Sequence, residues 1–572
     1  MLARDSARKR EPTTYVDSRS RERRGGDSNP RYRFRHTAVP VLHNRPLCHL
    51  SGRFEPASIY TRHALFKPRW TLILFDSRQI FASNRSCGSS CLLMARKACK
   101  VGDAASIGKV RMLRHAWLLV LVALNSVSHA AEKPNIVFFF IDDMGWTDLG
   151  FMGSEYYESP NIDRLASEGM VFKSAYANAP NCAPSRACLM SGKYGPRHGI
   201  YTVGDPVRGN HKRRRLEPTA NKTVLADEFV TVAEALKTNG YTTASMGKWH
   251  LGSDPTTQGF DVNIAGKEWG SPSGGGYHSP YKYPNLNQSE KGEYLTDRLT
   301  KEAVEFIEEN KERPFFLYLT HYAVHTPIQA RDELIAKYRA KPKTKHHKNA
   351  KYAAMIESVD HSVRDVLAAL KRHALTEKTL VIFFSDNGGH SGPTSNHPLR
   401  GAKGMLYEGG IREPLIVKWP GVTQAGSTCN EPVIGIDFYP TLLDVTKTQK
   451  PDGYELDGLS ITPLLKNSTA KLNREAIYWH FPSYLQGKGD PGGGPFRTTP
   501  AGAIRMGDWK LIEWFETGRL ELYNLANDIG ETNELSKSNP EKLAQLHTAM
   551  KQWRADVNAP IPTTPNPRYR EK

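Results

Sequence analysis

The chain has 572 residues, of which 39% are hydrophobic and 24% are charged, a composition typical of soluble globular proteins rather than disordered or fibrous ones. One hydrophobic core does not usually organise a chain of this length, so we expect a large domain and a smaller one. The net charge of +19 does not indicate nucleic-acid binding, because residues 1–111 hold 23 Lys and Arg against 8 Asp and Glu and the remainder is nearly neutral.

The basic leader, residues 1–111, is rich in Arg, Ser and turn-forming residues, and we expect it to be disordered or to lie upstream of the true start. Met112 is followed by basic residues, an apolar run over 116–124 and a small-residue cleavage pattern ending at Ala130. This pattern predicts a signal peptide over 112–130, and its apolar run is too short to span a membrane. We therefore expect a secreted or periplasmic protein without stable membrane insertion. The alternative is a translated basic extension that leads into a short core helix.

Three cysteines follow the predicted signal: Cys182, Cys188 and Cys429. Three cysteines in a secreted chain of this length do not form a disulfide scaffold, and the odd number favours a special role for at least one of them. This part of the chain has no CxxC pair, which argues against zinc held by thiolates.

The fold class follows from the order of apolar and amphipathic segments. Buried strands are predicted at 135–141, 315–319, 380–384 and 415–417. Helical patterns at 231–237 and 353–370 lie between them, and the alternation predicts an α/β domain over 131–465 with a large, mostly parallel sheet flanked by helices. After about residue 465, short alternating segments and one helix predict a smaller C-terminal subdomain, residues 466–572, with an antiparallel sheet.

Oxygen-bearing side chains follow two of these predicted strands. Asp142 and Asp143 follow the strand at 135–141, while Asp386 and Asn387 come just after the strand at 380–384. Ligands of α/β folds bind outside the carboxyl ends of the strands, and this set of oxygens suits Ca²⁺ or Mg²⁺ better than zinc. Either pair alone could be a helix cap or a turn. Two pairs in equivalent places favour a metal site.

The segment Cys182-Ala183-Pro184-Ser185-Arg186 is the most specific motif of the chain. Its spacing fits neither a disulfide nor a thiol protease, and by itself it indicates a buried free cysteine near a turn. The segment matches the C-x-P-S-R signature of the type I sulfatases, in which this cysteine is oxidised to formylglycine. Ser191-Gly192 stands where that family has Thr-Gly, which keeps the hydroxyl. Further motifs similar to the family lie at 135–145, 247–252, 259–261, 321–327, 385–389, 400–404 and 407–414.

The resemblance to type I sulfatases, which spans most of residues 133–535, implies an alkaline-phosphatase-like fold and hydrolysis of sulfate esters. It implies one calcium ion held by Asp142, Asp143, Asp386, Asn387 and the modified Cys182. It also implies a formylglycine-generating enzyme as a partner during maturation. One hydroxyl of the hydrated aldehyde would attack sulfur and expel the alcohol, and the other would release sulfate and regenerate the aldehyde.

The resemblance assigns roles to five further residues. Arg186, Lys248 and Lys403 would surround the sulfate and stabilise the charge that builds up on the transferred group. His325 and Lys403 would protonate the leaving oxygen, and His250 would be the base that triggers release of sulfate.

Two other functions remain open at this point. The first is a phosphomonoester or phosphonate monoester hydrolase of the same superfamily, and the second is a secreted glycan-binding protein with an unmodified Cys182. For the sulfatase, secretion and the basic runs at 212–215 and 341–348 favour a sulfated carbohydrate over a small aryl sulfate. The aromatic segment 478–481 could border a sugar subsite or belong to the core of the small sheet.

Overall fold

The computed structural model describes residues 133–286, 290–487 and 495–571, so the predicted leader and signal peptide lie outside the described residues. The centre of the described part is strand β1 (Asn135–Ile141), which is buried along its whole length. It pairs in parallel with β5 (Phe315–Thr320) on one side and β6 (Thr379–Ser385) on the other. The three apolar runs are thus strands of one sheet. Among the described residues, no helix has the length and apolar character needed to cross a bilayer.

These strands belong to a nine-stranded sheet. Its other strands are β2 (Met170–Tyr176), β3 (Thr242–Gly247), β4 (Val262–Ile264), β7 (Arg412–Lys418), β8 (Ser427–Cys429) and β9 (Val433–Ile434). The order is β4-β3-β5-β1-β6-β7-β2-β8, with β9 also paired to β2. The predicted run at 415–417 lies in β7, which is antiparallel to both of its neighbours. An apolar run indicates burial on both faces but does not fix the direction of the strand.

Helices cover both faces of the sheet. They are α1 (Pro160–Glu168), α2 (Cys182–Ser191), α3 (Gly195–His198), α4 (Val232–Thr238), α5 (Leu295–Glu309), α6 (Asp332–Ala340), α7 (Ala350–Arg372), α8 (Glu408–Ile411), α9 (Phe438–Thr446) and α10 (Thr462–Lys466). Alternate residues of β1 enter two cores, because successive side chains of a strand point to opposite faces. Val137 and Phe139 pack with α1, α5, α6 and α7, whereas Ile136 and Phe138 pack with α2, α4 and α9. The predicted α/β architecture is confirmed.

The C-terminal part forms a separate antiparallel sheet in the order β10-β13-β14-β15. Its strands are β10 (Ile477–Phe481), β13 (Ala501–Met506), β14 (Trp509–Trp514) and β15 (Arg519–Asn524), and helix α11 (Pro540–Asp556) follows them. A two-stranded ribbon joins β11 (Leu485–Gln486) to β12 (Phe496–Thr498). Trp479 and Phe481 are buried, and Tyr478 stacks on Trp553 at 4.6 Å between ring centroids. The aromatic segment therefore belongs to the core of this sheet.

A buried ion network joins the two sheets. Lys510 on β14 lies 2.8 Å from Glu408 Oε1 and 2.8 Å from Glu531 Oε1, and all three side chains are fully buried. Glu408 also accepts hydrogen bonds from Arg412 Nη1 at 3.0 Å and from the Tyr176 hydroxyl at 2.7 Å. Lys510 is therefore the cation shared by two buried carboxylates.

Replacing Lys510 with methionine is expected to lower the free energy of unfolding by about 3–5 kcal/mol, because both carboxylates lose the cation between them. Lys447→Met is the control, since Lys447 is 81% exposed and its pair with Asp444 is a surface pair at 3.4 Å. The control should change stability by less than about 1 kcal/mol. Urea unfolding followed by circular dichroism measures both effects, and equal midpoints for the two variants would contradict the structural role of Lys510.

Candidate active site

The register of β1 and β6 brings the predicted metal-ligand pairs together. Ile141 and Ser385, the last residues of these parallel strands, lie side by side, so Asp142 and Asp143 emerge next to Asp386 and Asn387. The backbone N–H of Asp143 donates a hydrogen bond to Asp386 Oδ1 at 3.2 Å. Asn387 Nδ2 donates another to Asp143 Oδ1 at 2.8 Å. The four side chains thus form one buried cluster at the carboxyl edge of the sheet.

Helix α2 carries Cys182 to this cluster as its first residue. Arg186, one helical turn later, faces the same way, because residues four apart lie on one side of a helix. Its Nε and Nη2 lie 2.9 and 2.8 Å from Asp386 Oδ2, and its Nη1 donates to the carbonyl oxygen of Lys248 at 2.9 Å. The hydrogen bond from Arg186 Nε and the close ion pair with Asp386 fix the start of α2 against the end of β6.

The geometry of the cluster is compatible with a metal ion. One ligand atom each from Asp142, Asp143, Cys182 and His325 can be chosen so that all four lie within 4.8 Å of one another. Three buried oxygens, Asp142 Oδ1, Asp143 Oδ2 and Asn387 Oδ1, accept no hydrogen bond from any described residue. Buried acceptors are normally satisfied, and a hard cation would satisfy these three. These donors therefore suit a hard cation. Asp386, whose two oxygens accept hydrogen bonds from the Asp143 N–H and from Arg186, is not among the four ligand atoms.

Two lysines lie against the carboxylates. Lys248, just after β3, places its Nζ 2.6 Å from Asp142 Oδ2. Lys403 Nζ lies 2.5 Å from Asp143 Oδ1 and donates to Cys182 Sγ at 3.2 Å. Burial would raise the pKa of the Cys182 thiol, but the charges of Lys248 and Lys403 lower that pKa to about 6. The sulfur therefore lies in a strongly electropositive environment.

The two histidines of the site differ in their surroundings. Burial, with the charges of Lys248 and Arg186, holds the pKa of His250 well below its ordinary value, and its Nδ1 has no partner among the described residues. Burial also lowers the pKa of His325, but nearby carboxylates, Asp143 foremost, raise it above its ordinary value overall. His325 Nε2 lies 3.7 Å from Asp143 Oδ2.

The position of the His250 ring depends on a glycine that packs against it. A Cβ atom at residue 270 would lie 2.5 Å from His250 Cε1, so only glycine fits at Gly270 without displacing the imidazole. His250 itself has a φ of 67°, a left-handed conformation that is uncommon for residues with a side chain. Its backbone N–H donates to the carbonyl oxygen of Lys267 at 2.8 Å, which holds this loop in place.

The structure brings the candidate residues to one edge of the sheet. His321, the first residue of the 321–327 motif, has no predicted role and lies apart from them, with its Nε2 2.9 Å from Ser362 Oγ on α7. Within the site, the side chains of Lys403 and His325 are 11% and 15% exposed, whereas those of Arg186 and Lys248 are fully buried. The site therefore opens to solvent beside Lys403 and His325.

Two residues outside the sequence motifs support the site through hydrogen bonds, Tyr352 and Thr320. The Tyr352 hydroxyl donates to the Asp143 carbonyl oxygen at 3.2 Å and to Asp148 Oδ2 at 2.6 Å, while Thr320 Oγ1 accepts from Arg186 Nη1 at 2.7 Å. Tyr352 lies on α7, more than 200 residues along the chain from the aspartates it supports. No local pattern in the sequence marks such a contact.

Two protein-family models match this chain. The family model described as "Sulfatase" matches residues 134–448, more than half of the chain. The model described as "N-sulphoglucosamine sulphohydrolase, C-terminal" matches residues 401–556. The two matches cover both sheets of the described structure.

Curated relatives carry sulfatase names. A protein named "Sulfatase" from Formosa agariphila is 36% identical, over 77% of this chain and 92% of the relative. The N-acetylgalactosamine-6-sulfatase of Mus musculus is 32% identical, over 72% of this chain and 78% of its own length.

Among solved structures, Ps i-CgsB in complex with k-i-k-neocarrahexaose is 30% identical with a TM-score of 0.62, covering 77% of this chain and 96% of that one. The phosphonate monoester hydrolase of Agrobacterium radiobacter is 19% identical with a TM-score of 0.55, covering 74% of this chain and 96% of that one, and shares the fold alone. The chain belongs to the sulfatase family, whose curated members are enzymes that hydrolyse sulfate esters.

Proposed function

We propose that this protein hydrolyses sulfate esters of carbohydrates, with a nucleophile made by oxidising Cys182 to formylglycine and with one calcium ion in the carboxylate cluster. The observation that carries the proposal is the position of Cys182. Its sulfur is part of a group of four ligand atoms within 4.8 Å of one another and accepts a hydrogen bond from Lys403 at 3.2 Å. A structural cysteine would not need two buried carboxylates and a lysine beside it.

The calcium ligands would be Asp142, Asp143, Asp386, Asn387 and residue 182. The unpartnered oxygens of Asp142, Asp143 and Asn387 support this set, because carboxylate and amide oxygens are the ligands that calcium prefers. A bound calcium ion would neutralise part of the carboxylate charge and polarise a sulfate oxygen.

The cationic side chains supply sulfate binding and proton transfer. Arg186, Lys248 and Lys403 hold positive charge in a buried region, where charge that develops on a transferred group is stabilised more strongly than in water. In this proposal His325, at the solvent-facing side of the site, protonates the leaving oxygen together with Lys403. In this proposal His250, whose Nδ1 has no hydrogen-bond partner among the described residues, accepts a proton during sulfate release.

A carbohydrate substrate is supported by the relatives rather than by the basic runs. The similar structure of Ps i-CgsB was solved with a neocarrahexaose, and a curated relative is named for N-acetylgalactosamine-6-sulfate. Within the basic runs, Lys341 Nζ already lies 3.0 Å from Glu158 Oε1, and Arg214 is buried. Only part of that charge is therefore available to attract a polyanion. We further propose that the protein is secreted or periplasmic, as the signal pattern predicts.

Release of inorganic sulfate tests the proposed function. Protein produced together with a formylglycine-generating enzyme is incubated with carrageenan, chondroitin sulfate, heparin, 4-nitrophenyl sulfate and 4-nitrophenyl phosphate. We expect sulfate from at least one polysaccharide and from the aryl sulfate, with slower release of phosphate. Phosphate release without any sulfate release would favour the phosphomonoesterase alternative. An unmodified Cys182 thiol in natively secreted protein that hydrolyses none of these substrates would favour the glycan-binding one.

A further inference from the structure

We propose that Arg208 and Arg497 form a second anion-binding position at the mouth of the sulfate site, which takes a further sulfate ester or a carboxylate of the same substrate. This inference rests on the proposed function and deepens it, because it makes the preferred substrate a saccharide with two neighbouring anionic groups. The arginine pair is defined as Arg208 and Arg497.

Arg497 lies over the loop that carries Lys403. Residue 497 is the middle residue of β12, and a Cβ atom at Gly404 would lie 2.9 Å from Arg497 Cδ. Gly404 follows directly after Lys403, whose Nζ contacts Cys182 Sγ. Arg497 Nη2 lies 3.3 Å from His390 Nε2, and His390 follows the segment that carries Asp386. The β11–β12 ribbon thus places a guanidinium from the C-terminal part beside the active-site loop.

Arg208 reaches the same region from a different loop. A Cβ atom at Gly209, the next residue, would lie 2.6 Å from Phe496 Cε1, and Val207 forms a bridge with Tyr484. The loop is therefore packed on the ribbon that carries Arg497. Arg208 Nε donates to the carbonyl oxygen of Asp205 at 3.1 Å. Burial lowers the pKa of the Arg208 guanidinium, the charges of Asp205 and Cys182 raise this pKa, and the charge of Arg497 lowers it.

Neither member of the arginine pair forms a close ion pair in the described part of the chain, although the charge of Asp205 acts on Arg208 and that of Asp143 acts on Arg497. No carboxylate among the described residues lies within 4.0 Å of either guanidinium, and Arg497 Nε is buried without a hydrogen-bond partner. His390 does not compensate the charge, because burial and Arg497 lower its pKa to about 4 and keep its ring neutral near pH 7. Burial lowers the pKa of both guanidinium groups, and a bound anion would offset the cost of burying their charge.

The arginine pair lies on the side where the site opens to solvent. The site opens beside Lys403 and His325, and Arg497 lies over the residue after Lys403. A saccharide whose sulfate ester lies at Cys182 would therefore leave the buried region past the arginine pair. Guanidinium groups bind sulfate and carboxylate through paired hydrogen bonds, which single ammonium groups do not match.

Calorimetric titration tests the arginine pair without relying on turnover. Calcium-loaded Cys182→Ala protein, which keeps the arginine pair, is titrated with κ-neocarrabiose (one sulfate), ι-neocarrabiose (two sulfates) and a chondroitin 4-sulfate disaccharide (one sulfate and one carboxylate). We expect at least one of the two dianionic sugars to bind about tenfold or more tightly than the monoanionic one. Adding Arg497→Met or Arg208→Met should remove this preference, and Arg497→Lys should keep part of it.

Arg164→Met is the matched control, because Arg164 lines a surface pocket together with Thr379, at the opposite end of β6 from Asp386. It should leave the affinity ratio unchanged. Equal affinities for all three sugars, or a preference that survives both methionine substitutions, would overturn the arginine pair. Hydrolysis of 4-nitrophenyl sulfate is measured in parallel with protein that has no substitution at position 182 and carries formylglycine there. If this protein does not hydrolyse 4-nitrophenyl sulfate, the proposed function is contradicted. If the Cys182→Ala protein binds all three sugars with equal affinity, only this inference is contradicted.

Discussion

Replacing Cys182 with alanine is expected to lower kcat for sulfate ester hydrolysis by at least about 10⁴-fold, because no other side chain of the site can replace the nucleophile. Cys182 is 1% exposed and begins helix α2, where alanine is well tolerated. The fold should therefore survive, and circular dichroism can verify this. Initial rates with 4-nitrophenyl sulfate, for variant and parent produced under the same conditions, measure the loss.

Two further substitutions sharpen this result. Cys182→Ser should release at most about one equivalent of nitrophenol per protein, since a serine hydroxyl can be sulfated but has no second hydroxyl to expel sulfate. Cys188→Ala is the control, because Cys188 lies on the same helix, is buried, and contacts His198 Nε2 at 3.3 Å rather than the carboxylates. Substantial turnover by the alanine variant at position 182, or loss of activity in the control, would count against the assigned nucleophile.

Removing calcium is expected to abolish activity and to destabilise the protein. After exhaustive chelation, calcium at 100 times its Kd should raise the free energy of unfolding by about 2.7 kcal/mol, because the ion binds the folded cluster and not the unfolded chain. Asp386→Ala should eliminate most of this gain, because Asp386 is one of the proposed calcium ligands. Asp386 also holds Arg186 at 2.8 Å. Thermal unfolding with and without calcium measures the effect independently of catalysis.

Asp457→Asn is the control for the metal experiment. Asp457 pairs with Arg197 at 2.8 Å and lies outside the cluster, so the calcium-dependent stabilisation should remain. Magnesium in place of calcium tests which ion the site prefers. Full activity after chelation, or an undiminished calcium effect in Asp386→Ala, is incompatible with the proposed metal site.

Much of the fold could be predicted from the sequence, because a strand buried on both faces must be apolar along its length. Strand β1 begins and ends at the predicted residues, Asn135 and Ile141. The direction of β7 could not be predicted, since burial is the same for a parallel and an antiparallel strand. The pairing of Ile141 with Ser385 also depends on long-range register, which no local pattern encodes.

The candidate site could be predicted only where the residues belong to motifs. The motif that contains Arg186 predicts a role in sulfate binding, but only the folded structure shows its contact with Asp386, 200 residues further along the chain. Arg208 and Arg497 lie outside every motif, and the loop that carries Arg208 meets the β11–β12 ribbon that carries Arg497 only in the folded structure. Residues that determine specificity commonly lie on such loops, whose positions follow from packing rather than from periodicity.

The mass of the tryptic peptide over residues 174–186 tests the central claim most directly. In active protein, oxidation of Cys182 to formylglycine replaces sulfur with oxygen and removes two hydrogens, so the peptide becomes lighter and reacts with hydrazides. We predict that the fraction of modified peptide rises in proportion to specific activity across preparations made with different amounts of formylglycine-generating enzyme. Fully active protein with an intact, alkylatable thiol at position 182 would contradict the account.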